Sequence, residues 1–160
     1  MPDNRGFTLI ELVVAVAVLS ILTTIAIPGF SRLIESTRLT SATNSLSAAL
    51  QVARSEAVNR NAGVQVCPGN DPTDCSQSWA LGWQVTLASD NSVLREWEAP
   101  PNDLTLAQTG GSAAVQYRGN GQATSTAEIK LRSTSCTGTD ARSVSISSVG
   151  RTSVTGTNCF

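Results

Sequence analysis

The 160-residue chain contains no histidine and only one lysine, Lys130. Without histidine it lacks the commonest general base and the commonest metal ligand. Serines, aspartates and glutamates are plentiful, but no nucleophile has a histidine partner and no glycine-rich phosphate loop follows a strand. The expectation is therefore a non-enzyme with no catalytic residue, no cofactor and no metal. Formal net charge is only −1, which leaves no global footprint of a nucleic-acid or membrane-surface binder. The length suits one domain beyond any membrane segment, large enough for a core of its own.

The N-terminus carries a long, predominantly apolar run from Phe7 to Ile27 with one charge in it, Glu11. Such a charge costs roughly 2.5 to 3.5 kcal/mol on insertion scales, so Glu11 is a functional candidate. The run is preceded by a short polar leader, Met1-Pro2-Asp3-Asn4-Arg5-Gly6. It is too long for a signal-peptide core, and Pro28-Gly29-Phe30 follows in place of an Ala-x-Ala cleavage site. About 21 residues at helical rise give about 30 Å, the thickness of a bilayer core. Arg5 on one flank and Arg32 and Arg38 on the other leave orientation open by charge alone.

All four cysteines, Cys67, Cys75, Cys136 and Cys159, lie beyond the span, and none forms a Cys-x-x-Cys pair. An even count in a small domain points to two disulfides and an oxidising compartment. Three pairings are open. The turn-rich loop from Cys67 to Cys75 favours closing on itself, and a Cys136 to Cys159 bridge would hold down the C-terminus.

Past Pro28, the residues Leu39, Ala42, Leu46, Ala49, Leu50, Ala53 and Ala57 recur at three- and four-residue steps. They form the apolar stripe of an amphipathic helix that should stop near Asn61 and Gly63. A helix unbroken from Phe7 to Arg60 would measure about 80 Å, so half of it is expected to project, with a kink or unwound turn at Pro28. From Gly63 onward the pattern alternates, at Val64 and Val66, Trp83 to Leu87, Val93 to Trp97, Val115 to Tyr117, Ile129 to Leu131, Val144 to Ile146 and Thr152 to Val154. Asn120-Gly121 between such runs is a hairpin signal. The expected fold class is α+β: a long N-terminal helix, membrane-spanning then amphipathic, packed against antiparallel β-sheets.

The string Gly6-Phe7-Thr8-Leu9-Ile10-Glu11 resembles the processing site of type IV pilins and the related type II secretion pseudopilins. The resemblance implies that a prepilin peptidase cuts after Gly6 and methylates Phe7. It also implies that Glu11, fifth in the mature chain, pairs with the freed amine of Phe7 when helices bundle, and that the helix before Pro28 can unwind in the filament. Val115-Gln-Tyr-Arg-Gly-Asn-Gly121, Ile129-Lys-Leu131 and Ser147-Ser-Val-Gly150-Arg151 are similar to the shared C-terminal pattern of the minor pilins FimU and FimT and the secretion pseudopilin GspH. The organisation then reads as leader 1–6, removed; transmembrane and assembly helix 7–29; amphipathic half 30–62; and β-rich part 63–160.

Charge is uneven along the soluble part. From Asn61 to Tyr117 one basic residue stands against six acidic ones, a balance of −5, whereas from Arg118 to Phe160 the balance is +3. Arg118, Lys130, Arg132, Arg142 and Arg151 are thus candidate DNA contacts, as in FimT-like members. Those members carry Gly-Arg-x-Arg, and here Gly150-Arg151-Thr152-Ser153 lacks the second arginine. The expectation is accordingly a FimU-like minor pilin, a structural subunit that primes pilus assembly and links the tip complex to the fibre. Its partners would be prepilin peptidase, other minor pilins and the major pilin. It would sit in the inner membrane with a periplasmic domain, then at the cell surface in the pilus. The alternatives are a DNA-binding FimT-like pilin and a GspH-like secretion pseudopilin.

Overall fold

The computed structural model describes residues 8–160, apart from the side chains of residues 25–28. Expectations placed on the leader, Gly6, Phe7 and the Pro28 side chain lie outside the described residues. Among the described residues one helix, α1 (Leu9–Arg60), is followed by eight strands: β1 (Val64–Pro68), β2 (Trp83–Leu87), β3 (Val93–Trp97), β4 (Leu104–Thr109), β5 (Val115–Tyr117), β6 (Ala127–Ser133), β7 (Ala141–Ile146) and β8 (Thr152–Thr157). α1 continues through position 28 with no unwound turn. Contacts divide the chain into two compact units after Glu35.

Among the described residues of the first unit the helix buries no core. Leu9, Ile10, Leu12, Leu19 and Ile21 are each about 60% exposed or more, and this is the described helix long and apolar enough to cross a membrane. Its hydroxyls are satisfied within the helix: Ser20 donates to Val16 O at 2.7 Å, Thr23 to Leu19 O at 3.0 Å and Thr24 to Ile21 O at 2.7 Å. Internal satisfaction is what an apolar solvent requires of a polar group.

The second unit holds the core. Every member of the Leu39 to Ala57 stripe is buried, the last five completely. α1 ends where an asparagine can take the left-handed conformation: Asn61 has φ 49°. Ala62 N–H donates to Ala57 O and Asn61 N–H to Val58 O, each at 3.2 Å, the paired bonds that close a helix C-terminus. Two antiparallel sheets, in the orders β3-β2-β1-β5 and β4-β6-β7-β8, share one hydrophobic cluster with the stripe. β6 shows the alternation plainly, with Ala127, Ile129, Leu131 and Ser133 buried and the residues between them half-exposed. This is the expected α+β fold.

Two details differ from the sequence reading. β4 is an additional strand, and the Asn120-Gly121 turn does not fold β5 onto β6, which belong to different sheets. Beyond that turn residues 122–124 run back along the end of β5, with Ala123 bridging Tyr117, before the chain crosses over. Leu50, fully buried in the cluster that the helix shares with both sheets, sets the scale of the packing. Leu50→Ala should lower stability by about 2 to 5 kcal/mol, read by denaturant unfolding of the full chain in mild detergent.

Candidate assembly site

Glu11 does not stand alone. Thr8 precedes the first helical residue, and its backbone N–H and its hydroxyl donate to Glu11 Oε2 at 2.9 and 3.0 Å. In return Glu11 N–H donates to Thr8 Oγ1 at 3.4 Å. The spacing Thr-x-x-Glu is a capping box, which satisfies otherwise orphaned N–H groups at a helix start. A carboxylate there also meets the positive end of the helix dipole, worth about 0.3 to 1 kcal/mol. Both partners lie after Gly6, so a cut at that glycine would leave the cap whole. Thr8 was missed in the sequence reading, although Thr8-Leu9-Ile10-Glu11 spells the signal.

The C-terminal pattern gathers around one side chain of α1. Arg54 Nε donates to Gly121 O at 3.0 Å and its terminal nitrogen to Val149 O at 3.2 Å. One guanidinium thereby ties the turn after β5 and the turn before β8 to the helix. Gly121 and Gly150 both have positive φ, 77° and 78°, and a Cβ on Gly150 would overlap Gly121 O. Only glycine fits that stack. Tyr117, at the end of β5, is completely buried. Burial pushes its hydroxyl pKa up, against smaller opposing effects of Thr152 and the Arg54 charge. Arg54 carried no sequence signal, because its partners are backbone carbonyls.

The five basic candidates are not brought together. Lys130 sits 3.8 Å from Glu128, and Arg132 stacks 5.1 Å over the Phe160 ring. Arg142 donates to Ala141 O at 3.4 Å. Arg118 and Arg151 are exposed beside the two stacked turns. At the position where Gly-Arg-x-Arg would place a second arginine, Ser153 instead shares a hydrogen bond of 2.8 Å with Ser145 across β7 and β8.

Cys67 is bonded to Cys75, with Cα atoms 4.8 Å apart, and Cys136 to Cys159, at 5.9 Å. Inside the first loop Asp71 accepts from Thr73 and Asp74 from Ser76. These hydrogen bonds hold both carboxyl pKa values below the usual range. Since the folded values are depressed, their stabilisation is present above the unfolded aspartate pKa and is lost as pH falls through the folded values.

Comparison with known proteins places these features. The prokaryotic N-terminal methylation motif matches residues 1–27, and the family described as Type II transport protein GspH matches residues 42–150. Two crystal structures of the type IV minor pilin FimU from Pseudomonas aeruginosa (strain PAO1) share the fold, with TM-scores of 0.62 and 0.58 and 26% identity in each case. They cover 77% and 73% of this chain and 92% of their own. A comparison with curated protein sequences gave no match. The capped apolar helix carries the methylation motif, and the turns around Arg54 lie within or at the boundary of the second match; the chain therefore belongs to the GspH family, whose members are structural pilin-like subunits of pilus or pseudopilus assemblies rather than enzymes.

Proposed function

We propose that this chain is a minor pilin of the type IV pilus, which helps prime assembly and joins the tip complex to the major-pilin fibre. The observation that carries this reading is the likeness to FimU, which extends over 92% of that chain's length. The leader 1–6 is removed by prepilin peptidase and Phe7 is methylated. Residues 7–29 then hold the subunit in the inner membrane and later in the filament. Glu11, satisfied locally by Thr8, exchanges that partner for the amine of Phe7 of its own or a neighbouring subunit. A buried carboxylate strongly favours such a partner, which fixes stagger as well as affinity. Pro28 weakens the helix ahead of it and allows stretching in the filament. The domain from residue 30 onward faces the periplasm and then the exterior, where its two disulfides persist.

The neighbours follow from the same reading: other minor pilins on one side and the major pilin on the other. Deleting the gene should reduce surface pili and twitching while leaving type II secretion of exoproteins unchanged. A secretion defect with normal pili would transfer the subunit to the secretion filament. DNA binding has little support, because Lys130 lies beside Glu128 and Arg132 stacks on Phe160, which leaves Arg118 and Arg151 exposed beside the stacked turns. Titration of the full chain in detergent with duplex DNA should show no binding at physiological salt. Binding with a steep salt dependence would instead make it a DNA receptor.

A further inference from the structure

Each sheet has two edge strands, and the four edges are treated differently. β3 carries Arg95 and Glu96, with a register shift opposite Val85 and Thr86. β5 is three residues long and is covered by the returning chain: Thr124 N–H donates to Gln116 O at 2.9 Å and Arg118 N–H to Gln122 O at 2.8 Å. β4 is entered through Pro100 and Pro101, and Trp79, from the 3₁₀ turn Trp79–Leu81, donates to its Gln108 at 2.9 Å. Charge, bulge, brevity and cover are the usual protections of an edge.

β8 has none of them. Thr152-Ser-Val-Thr-Gly-Thr157 has no charge and no proline, pairs only with β7, and its four central residues are exposed. A strand with a single neighbour turns alternate N–H and C=O groups away from it. Val154 pairs with buried Val144 but is itself 45% exposed, so the apolar face runs on past β7 to the open edge. Both ends are pinned. Gly150 and Arg54 fix the turn before the strand, and Cys159 N–H donates to Gly138 O at 3.0 Å beside the Cys136–Cys159 bridge. A pre-ordered edge loses little further entropy when it pairs.

We propose that β8 is a docking strand completed by an extended segment of a different pilin subunit, which continues the β4-β6-β7-β8 sheet by β-augmentation. The inference rests on the minor-pilin reading and deepens it by naming the contact. An exposed row of backbone donors and acceptors specifies an extended chain as its occupant. Charge specifies more. Arg151 immediately precedes the strand, and the Arg142 guanidinium lies 3.8 Å from where a Cβ on Gly156 would stand. A second copy would bring the same cations to both sides of the contact, whereas an acidic strand from another subunit complements them.

The test compares two full-length variants expressed in the native host. Val154→Lys places an ammonium on the apolar face of the open edge, and Val93→Lys adds one to the already charged β3 edge. Both should retain their two disulfides and wild-type circular dichroism. Val154→Lys should reach sheared filaments at about one-tenth of the wild-type amount or less, and Val93→Lys at the wild-type amount. Folded Val154→Lys present in filaments at the wild-type level overturns the docking strand while leaving the minor-pilin reading intact. Wild-type chain missing from filaments defeats the minor-pilin reading itself. Hydrogen exchange decides the occupant. β8 amides of the detergent-solubilised chain should gain about tenfold protection on mixing with the solubilised minor pilins of its own operon. Protection that appears in the chain alone and rises with its concentration would assign the edge to a second copy and overturn the proposal as stated.

Discussion

Glu11→Ala should leave the chain in the membrane and exclude it from filaments. Removing the carboxylate relieves an insertion penalty of roughly 2.5 to 3.5 kcal/mol and forfeits the reciprocal half of the capping box and a dipole contribution of about 0.3 to 1 kcal/mol, so insertion survives. Assembly does not, because the amine of Phe7 then enters the helix bundle without a counter-charge. The capping box supplies a sharper variant. Glutamine can replace glutamate in the reciprocal cap, so Glu11→Gln keeps the helix start formed by Thr8 and removes only the charge. If the cap were the whole role of Glu11, Glu11→Gln would assemble normally. If amine pairing is the role, it fails as Glu11→Ala does. Membrane fractionation and immunoblotting of sheared filaments read both steps, and normal incorporation of either variant would sink the pairing account.

Gly150→Ala should be the most damaging single-methyl change in the soluble unit. It forces an L-residue to φ 78° and drives a methyl into Gly121 O, the carbonyl that Arg54 already holds. The expected loss is about 3 kcal/mol or more, against a total stability of only about 5 to 15. Gly138 is the internal control. It has φ 60° and nothing within 4 Å of an added Cβ, so Gly138→Ala carries only the left-handed penalty of about 1 to 2 kcal/mol. Denaturant unfolding of the full chain in mild detergent compares them, and equal losses would show that the stacked turns around Arg54 contribute nothing of their own.

The helical stripe was legible because its period is local: seven residues at three- and four-residue steps state which face is buried, and all seven are buried. The antiparallel strands were legible for the same reason, from alternation between turn residues. β4 escaped because Leu104-Thr-Leu106 is a short alternation crowded by Pro100 and Pro101 on one side and Gly110 and Gly111 on the other. Antiparallel sheets were expected, but which strand joins which sheet was not legible. β1 pairs with β5 across roughly fifty residues, a choice made by packing on α1 and not by the intervening turn. The site divides in the same way. Glu11 declared itself as a charge where charge is costly, whereas its cap by Thr8 was overlooked and Arg54, bonded to distant carbonyls, left no pattern to read. The basic residues from Arg118 to Arg151 were legible as a charge balance, but Lys130 and Arg132 share a face of β6 with Glu128, Arg142 lies on β7, and Arg118 and Arg151 lie in turns.

A subunit that is cut after Gly6 and carried by its N-terminal helix into a pilus should bear the mark of that processing. Mass spectrometry of the chain recovered from purified sheared pili tests this directly. An N-terminal peptide beginning with methylated Phe7 is expected, and no peptide containing Met1 to Gly6. Intact leader on chain that remains in the membrane, with none in the pili, would contradict it.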